Sequence, residues 1–220
     1  MSPPSPRHPQ RRAELVAAAQ RVAAEQGLAK TNVRTVAAEA AVSPGSVLYY
    51  FPTFDELIYE SVEGVVEELV ERRRRIVEHL SSPTERIRAL IAAGIPDSIS
   101  NELRVLYESV GMLRVKPEYR PLMRSVVDRQ VMLYLTTIDL GAALGEFQLK
   151  RPSAEIARNI VALEDAYDLY PLVGVDMDRE SIRTSVMGYA SLALGVDIDP
   201  AAIDIDPGTV DAGQAGEPAR

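Results

Sequence analysis

Apolar residues recur at intervals of three and four along most of the chain, which is the spacing of helices that bury one face. Glycines, prolines and capping residues interrupt this pattern repeatedly. Gly27 ends the first apolar stretch, Thr53 begins a much longer one, and Gly195 ends the last. No stretch alternates apolar and polar residues in the way of a β-strand. The pattern therefore predicts an all-α protein of about nine helices.

The predicted helices form two sets of different length, flanked by segments without apolar periodicity. Residues 1–10 contain four prolines, and residues 197–220 are rich in Asp, Pro, Gly and Ala. Both are predicted to be disordered, the first as an arm and the second as an acidic tail. Short helices predict a small head over 11–52. Longer helices predict a body over 53–196, which the fourth helix joins directly to the head.

Residues 32–51 predict two short helices joined by a tight turn. Ser43 is placed to cap the second helix, and Pro44 suits its first position, where a missing N–H costs nothing. Val47 and Phe51 would point back at the core. We interpret this arrangement as a helix-turn-helix, although an ordinary helical hairpin in a bundle has a similar pattern.

The second helix of this pair keeps an outward face that is small at its start and hydroxyl-bearing afterwards. Gly45 and Ser46 come first, and Tyr49 and Tyr50 follow about one turn later. A helix that enters a DNA groove needs both properties, because its backbone must approach closely and hydroxyls donate to phosphates and base edges. The pattern therefore indicates DNA binding by this helix.

Residues 11–60 resemble the DNA-binding domain of the tetracycline-repressor (TetR) family of transcriptional regulators. A first helix ending in glycine is followed by the motifs TNVRTVA at 31–37, VSPGSVLYYF at 42–51 and DEL at 55–57. The resemblance implies that this domain binds DNA. The implied DNA-binding residues are Arg34, Thr35, Ser43, Gly45, Ser46, Tyr49 and Tyr50.

The resemblance also implies an activity and a division of roles. It implies a homodimeric regulator, more often a repressor, whose body binds a small molecule that releases it from a palindromic operator. The expected partners are therefore double-stranded DNA, an effector whose identity the sequence does not reveal, and a second copy of the chain. The implied contacts divide into phosphates, for Arg34, Thr35 and Tyr50, and base edges, for Gly45, Ser46 and Tyr49.

Three positions depart from the family pattern. Ala41 stands where glycine is usual in the turn, and a left-handed residue with a β-carbon costs about 1–2 kcal/mol, so this turn is expected to be strained or differently shaped. Leu48 replaces a common tyrosine. Phe54 replaces a lysine that lies close to the DNA backbone, so one phosphate contact is expected to be absent. These changes favour one alternative: a protein–protein adaptor of the same fold that has lost specific DNA binding.

The charge of the chain differs between the head and the remainder. The net charge is −8, but residues 1–55 contain six Lys and Arg against four Asp and Glu, which leaves +2 there and −10 in the rest. This asymmetry fits a DNA-reading head on a body that DNA repels. It does not fit a strongly basic, non-specific DNA binder.

Dimerisation is predicted through helices eight and nine. Both helices carry apolar stripes, and helix nine also has small residues beside its stripe. Two such helices from each subunit would make a self-complementary four-helix face. The alternative is that the stripes pack inside one subunit. The stripe residues are Ile156, Ile160, Leu163 and Tyr167 on helix eight, and Ile182, Val186, Tyr189 and Ala193 on helix nine.

A ligand pocket is predicted inside the body, walled by helices four to eight and coupled to the head through helix four. Tyr and Met on largely apolar faces suit a cavity that offers a few hydrogen-bonding groups. Acidic residues are interspersed, and one of them turned inward would favour a cationic ligand; they are Glu108, Asp139, Glu164, Asp165 and Asp168. The alternative is that these side chains fill the core. The candidate ligand-binding residues are Tyr107, Glu108, Met112, Tyr134 and Tyr167.

Motifs for catalysis or for a cofactor are not found in the sequence. There are no cysteines, and His8 and His79 lie far apart, so no metal site is predicted. No nucleophile elbow or phosphate loop occurs. The four arginines at 72–75 follow glutamates and are interpreted as a solvated helix face. The protein is therefore predicted not to be an enzyme, with an all-helical enzyme kept as an alternative.

A membrane location is not expected. The N-terminus lacks the apolar core of a signal peptide, and no stretch is long and apolar enough to cross a bilayer. The expected location is cytoplasmic.

Overall fold

The computed structural model describes residues 7–113 and 116–200, which fold into α-helices without any strand. This part of the chain confirms the predicted all-α class with nine α-helices. Short 3₁₀ turns cover Leu28–Lys30 and Pro117–Tyr119. The α-helices are α1 Arg7–Gln26, α2 Val33–Glu39, α3 Pro44–Tyr50, α4 Phe54–Glu78, α5 Pro83–Gly94, α6 Asn101–Met112, α7 Arg120–Ala143, α8 Ser153–Leu172 and α9 Arg179–Leu194.

Both predicted flanking segments are shorter than the sequence suggested. Helix α1 begins at Arg7, because Pro9 lies in the first helical turn, where no N–H is needed for an intrahelical bond. At the other end, Ile198 is buried and its N–H donates to the Ser191 hydroxyl at 3.1 Å, so the body extends past 196. The remainder of the predicted arm, 1–6, and of the predicted tail, 201–220, lies outside the described residues.

The helix-turn-helix forms as predicted. Asn32 begins α2 with a capping box, and the Ser43 hydroxyl accepts the Ser46 N–H at the start of α3. Ala41, in the turn between them, has φ 52°, so the turn keeps the left-handed conformation and does not take a different shape. The strain that a β-carbon causes in this conformation is therefore present in the turn.

Helix α4 contributes to all three apolar clusters, the third through Val77, and so joins the head to the body. Its Leu57 packs with α1, α2 and α3 in the head. Further along, Ile58 and Val62 pack against Ala23 of α1 and Leu106 of α6. The third cluster is formed mainly by α5, α7, α8 and α9. Because α6 also contacts α1 directly, the head is held by two body helices and not by α4 alone.

Most of the predicted dimer stripe is buried inside the subunit. The third cluster contains Ile156 and Ile160 of α8 and Ile182 and Val186 of α9. This agrees with the alternative that the stripes pack inside one subunit. The opposite side of α9 is solvent-facing, and Leu192 there is 79% exposed. Any contact between subunits along these helices must therefore use their outer sides.

None of the described helices is both long and apolar enough to cross a membrane.

Candidate nucleic-acid interface and ligand cavity

Helix α3 projects one side chain far into solvent and keeps its buried face in the head. Tyr49 is 73% exposed, whereas Val47 and Phe51 are fully buried. Tyr50 is half-buried and meets the Tyr49 ring edge-on, with ring centroids 5.1 Å apart. Gly45 is exposed at the start of the helix, so the backbone there is accessible. The structure thus brings these predicted DNA-binding residues onto one accessible helix.

The hydroxyl groups at the helix starts are already engaged within the head. The Thr35 hydroxyl accepts the Asn32 N–H at 3.0 Å and donates to the Asn32 carbonyl at 2.9 Å, which leaves it no free donor. Ser43 and Ser46 share a hydrogen bond between their hydroxyls at 2.9 Å. Because that bond uses one of two hydroxyl protons, the pair keeps one donor for an incoming group.

The basic residues around the helix-turn-helix differ in their partners. Arg34 is exposed on α2 and makes no ion pair with any residue in the described part of the chain. Arg12 instead pairs with Glu60 and donates to the Tyr50 carbonyl at 2.7 Å, with its guanidinium over the Phe51 ring. Arg12 therefore connects the end of α3 to α4, whereas the charge of Arg34 is left without an ion-pair partner in the described part of the chain.

A cavity of about 100 Å³ lies in the body between α4, α5, α6, α7 and α8. The α5 side of the cavity is apolar, and the other helices contribute both apolar and polar side chains. The lining includes three carboxylates and two arginines. The residues that line it are Leu69, Val70, Arg72, Arg73, Ala93, Gly94, Pro96, Ser100, Leu103, Leu106, Tyr107, Gln130, Glu164, Asp165 and Asp168.

A buried ion pair forms one wall of this cavity. Arg73 is only 9% exposed, and its Nη2 lies 3.0 Å from Glu164 Oε2 and 3.0 Å from the Leu90 carbonyl. Tyr134, fully buried, donates its hydroxyl to Glu164. Burial raises the pKa of Glu164, although the Arg73 charge opposes that effect. The interpretation of residues 72–75 as a solvated face is therefore wrong for Arg73.

Two further carboxylates line the cavity with different partners. Asp168 is buried and pairs with Arg179 at 2.5 Å. Asp165 lies in the lining together with Tyr107 and makes no ion pair among the described residues. Burial raises the pKa of both Asp165 and Tyr107, because each loses hydration in its charged form.

The five candidate ligand-binding residues do not share one location. Tyr107 lines the cavity. Tyr134 does not line it, but its hydroxyl accepts a hydrogen bond from Arg73, which does. Glu108 is exposed on another side of α6 and accepts the Leu28 N–H at 2.7 Å, outside the cavity. Tyr167 packs on the third apolar cluster, against Tyr170, and is not part of the lining. The side chain of Met112 lies outside the described residues.

Sequence reasoning missed the arginines of the cavity although a signal was present. Arg73 continues the buried series Val66, Val70 and Val77 of α4, at intervals of four, three and four residues. Glu164 continues an equivalent series on α8, and it was considered only as one acidic residue among several. A charged residue at an apolar stripe position indicates a buried ion pair. No group of residues in the described part of the chain could hold a metal ion.

The geometry defines a helix-turn-helix domain joined to a helical body that contains a small polar cavity. Residues 15–60 match the family described as bacterial regulatory proteins, tetR family. The chain thus resembles the TetR family of transcriptional regulators, both in this domain and in its all-α fold.

Individual relatives match either a shorter part of the chain at higher identity or most of the chain at lower identity. The chain is 36% identical over 83 residues to the HTH-type transcriptional repressor KstR2 of Mycobacterium tuberculosis H37Rv, covering 38% of this chain and 42% of that protein. It is 24% identical over 186 residues to the HTH-type transcriptional regulator PksA of Bacillus subtilis 168, covering 82% and 88%. The chain thus aligns with less than half the length of the first of these relatives.

A solved structure shares the fold of most of the chain. It is a transcriptional regulator from Saccharomonospora viridis in complex with choline, with a TM-score of 0.74 and 20% identity. The match covers 83% of this chain and 96% of that one. This level of identity supports the fold and not a shared ligand.

Proposed function

We propose that the chain is a ligand-responsive transcriptional regulator that binds a palindromic DNA operator through α3. The observation that carries the proposal is the exposed Tyr49 and Gly45 face of a helix-turn-helix in the segment that matches the tetR family. The named relatives are repressors and regulators of transcription, which favours a repressor released by a small molecule. An adaptor role receives no support from these comparisons.

Within this proposal, base reading and phosphate binding fall to different residues. Gly45, Ser46 and Tyr49 would face base edges, because they follow one another along the exposed side of α3. Ser43 would add a phosphate contact only through the donor that it shares with Ser46. Arg34 is the main phosphate contact, since its charge is free. Thr35 would stabilise the start of α2 and would not donate a hydrogen bond to DNA, because its hydroxyl is bonded to Asn32. Tyr50 would place its hydroxyl beside the groove.

Replacing Arg34 with alanine tests the phosphate assignment. Loss of one phosphate contact should weaken binding to every sequence about fivefold at 0.15 M salt and reduce the slope of log affinity against log salt by about one. Fluorescence anisotropy with a selected symmetric duplex, repeated at several salt concentrations, measures both quantities. Arg75→Ala is the matched control, because Arg75 is exposed on α4 in the body. An unchanged slope for Arg34→Ala would contradict the assignment.

We further propose that two copies associate through the outer faces of α8 and α9. Leu192 is 79% exposed on α9, and a β-carbon at Gly188, one turn earlier, would meet only open space. Ala162 and Ala166 are exposed on α8, so both helices offer small side chains and a close approach. Such a surface fits a two-fold contact between identical helices.

Replacing Leu192 with aspartate tests this dimer. Two buried aspartates near the two-fold axis should shift the dimer to monomers at micromolar concentration, which light scattering after size exclusion measures. Leu144→Asp is the matched control, because Leu144 is 61% exposed at the end of α7 and lies outside the proposed face. A Leu192→Asp protein that remains dimeric would place the interface elsewhere.

The cavity is the proposed effector site, and α6 offers a second route from it to the head besides α4. Tyr107 of α6 lines the cavity, and the next residue, Glu108, accepts the Leu28 N–H of the head at 2.7 Å. Gly27 lies against the same carboxylate, and a β-carbon there would come within 3.2 Å of it. A ligand that moves Tyr107 would therefore also move the contact that holds the head. The three carboxylates of the lining favour a small organic cation as one kind of effector.

A further inference from the structure

The charges that line the cavity do not all have partners. Arg73 pairs with Glu164, and Asp168 pairs with Arg179. Asp165 makes no ion pair among the described residues, so one carboxylate in the lining lacks a directly bonded counter-ion, and the charge of Arg73 acts on it only from further away. A buried carboxylate in this state gains from a cation placed beside it, since the cation offsets the lost hydration.

Hydrogen-bond donors without acceptors line the same cavity. The Nε of Arg73 is buried and has no hydrogen-bond partner among the described residues, although its two Nη atoms are bonded. Arg72 also lines the cavity and makes no hydrogen bond or ion pair with the described part of the chain. Its charge acts only at longer range, on Glu102. A group that accepts hydrogen bonds would therefore find donors on the α4 side.

The volume limits the size of an occupant. The cavity measures about 100 Å³, which is less than the roughly 150 Å³ of a cavity that admits benzene. A molecule of about four to six non-hydrogen atoms fits this space without opening the helices.

Resting on the proposed effector role of the cavity, we propose that its ligand is a compact organic ammonium compound that also carries a hydrogen-bond acceptor. The ammonium group pairs with Asp165 on α8. The acceptor, a hydroxyl or carboxylate oxygen, lies against Arg72 and Arg73 on α4. Such a ligand connects α4 to α8 across the cavity and touches Tyr107 of α6 at its ammonium end.

Three isosteric probes separate the two parts of the proposal. Ethanolamine carries both groups, propylamine replaces the hydroxyl with a methyl group, and ethylene glycol replaces the ammonium with a hydroxyl. Isothermal titration of the full-length protein should show ethanolamine binding about tenfold or more tightly than either of the others. If propylamine binds as tightly as ethanolamine, the ligand does not need a hydrogen-bond acceptor and that part of the proposal is wrong. If ethylene glycol binds as tightly as ethanolamine, the ligand does not need a positive charge. Failure of all three probes to bind would overturn the proposal as a whole.

Two variants locate the binding. Asp165→Asn should reduce ethanolamine affinity about tenfold or more, whereas Asp139→Asn, which removes the same charge from an exposed site on α7, should not change it. Arg72→Gln, at a half-buried residue without an ion pair, should fold normally and reduce the advantage of ethanolamine over propylamine. Unchanged ethanolamine affinity in Asp165→Asn would place the site elsewhere. These titrations contain no DNA, so their result is independent of whether the protein binds an operator.

Discussion

Replacing Gly45 with glutamate should abolish operator binding and leave the fold intact. A β-carbon at Gly45 meets only the Ser43 hydroxyl oxygen, at 3.8 Å, so the new side chain has room. A carboxylate in the first turn of α3 also suits the helix dipole. On DNA, however, the same carboxylate would face phosphates and base edges at the closest point of approach. We expect affinity to fall at least about 100-fold, which corresponds to about 2.7 kcal/mol.

The matched control is a glutamate at another exposed helical glycine. Gly111 lies on α6, and nothing lies within 4 Å of a β-carbon placed there. Gly111→Glu adds the same charge to the body, so the two variants differ only in position. Gel shift with the selected operator compares their affinities, and circular dichroism during heating compares their stabilities. Equal operator affinity for both variants would mean that α3 does not enter the groove.

Replacing Glu164 with leucine should destabilise the body strongly. The change leaves Arg73 buried without its counter-ion and removes the acceptor of the Tyr134 hydroxyl. Loss of one partner from a buried pair costs about 3–5 kcal/mol, and urea unfolding at a fixed protein concentration measures the loss. Asp139→Leu, at an exposed position, should have little effect by comparison.

A double variant distinguishes the lost charge pair from simple misfit of leucine. Arg73→Met together with Glu164→Leu removes both charges and keeps side chains of similar volume. The free energy of unfolding should recover most of the loss, because no uncompensated charge remains buried. If the double variant is as unstable as Glu164→Leu alone, the loss comes from packing beside Gly94 and not from the unpaired arginine.

The local signals in the head were sufficient to predict its structure. Ser43 and Pro44 mark the start of α3, and the structure has both in the predicted roles. The alanine at position 41 predicts a turn that is strained or differently shaped, and its φ of 52° shows the strained, left-handed form. Such features depend on neighbours within a few residues, which a single sequence contains.

The body was predictable only as a set of helices. The predicted helix periodicity of α8 and α9 is correct. The sequence does not reveal whether an apolar stripe faces its own subunit or a second one. In the structure, Ile160 and Val186 face the interior of their own subunit. The partners of Arg73 are 17 to 91 residues away along the chain. Pairing at that distance depends on how the helices pack, so neither the buried ion pair nor the lining of the cavity followed from spacing.

The adjacency of Tyr107 and Glu108 on α6 makes the head contact sensitive to rotation of that helix about its own axis. Consecutive helical residues point about 100° apart, so one rotation displaces the two side chains in different directions. A rotation of about 10° moves atoms some 6 Å from the axis by about 1 Å. Such a displacement along the bond would carry the Glu108 carboxylate, 2.7 Å from the Leu28 nitrogen, beyond hydrogen-bonding distance. Because the Glu108 carboxylate accepts its hydrogen bond from the backbone N–H of Leu28, replacing the Leu28 side chain would not remove this dependence of the head contact on the rotation of α6.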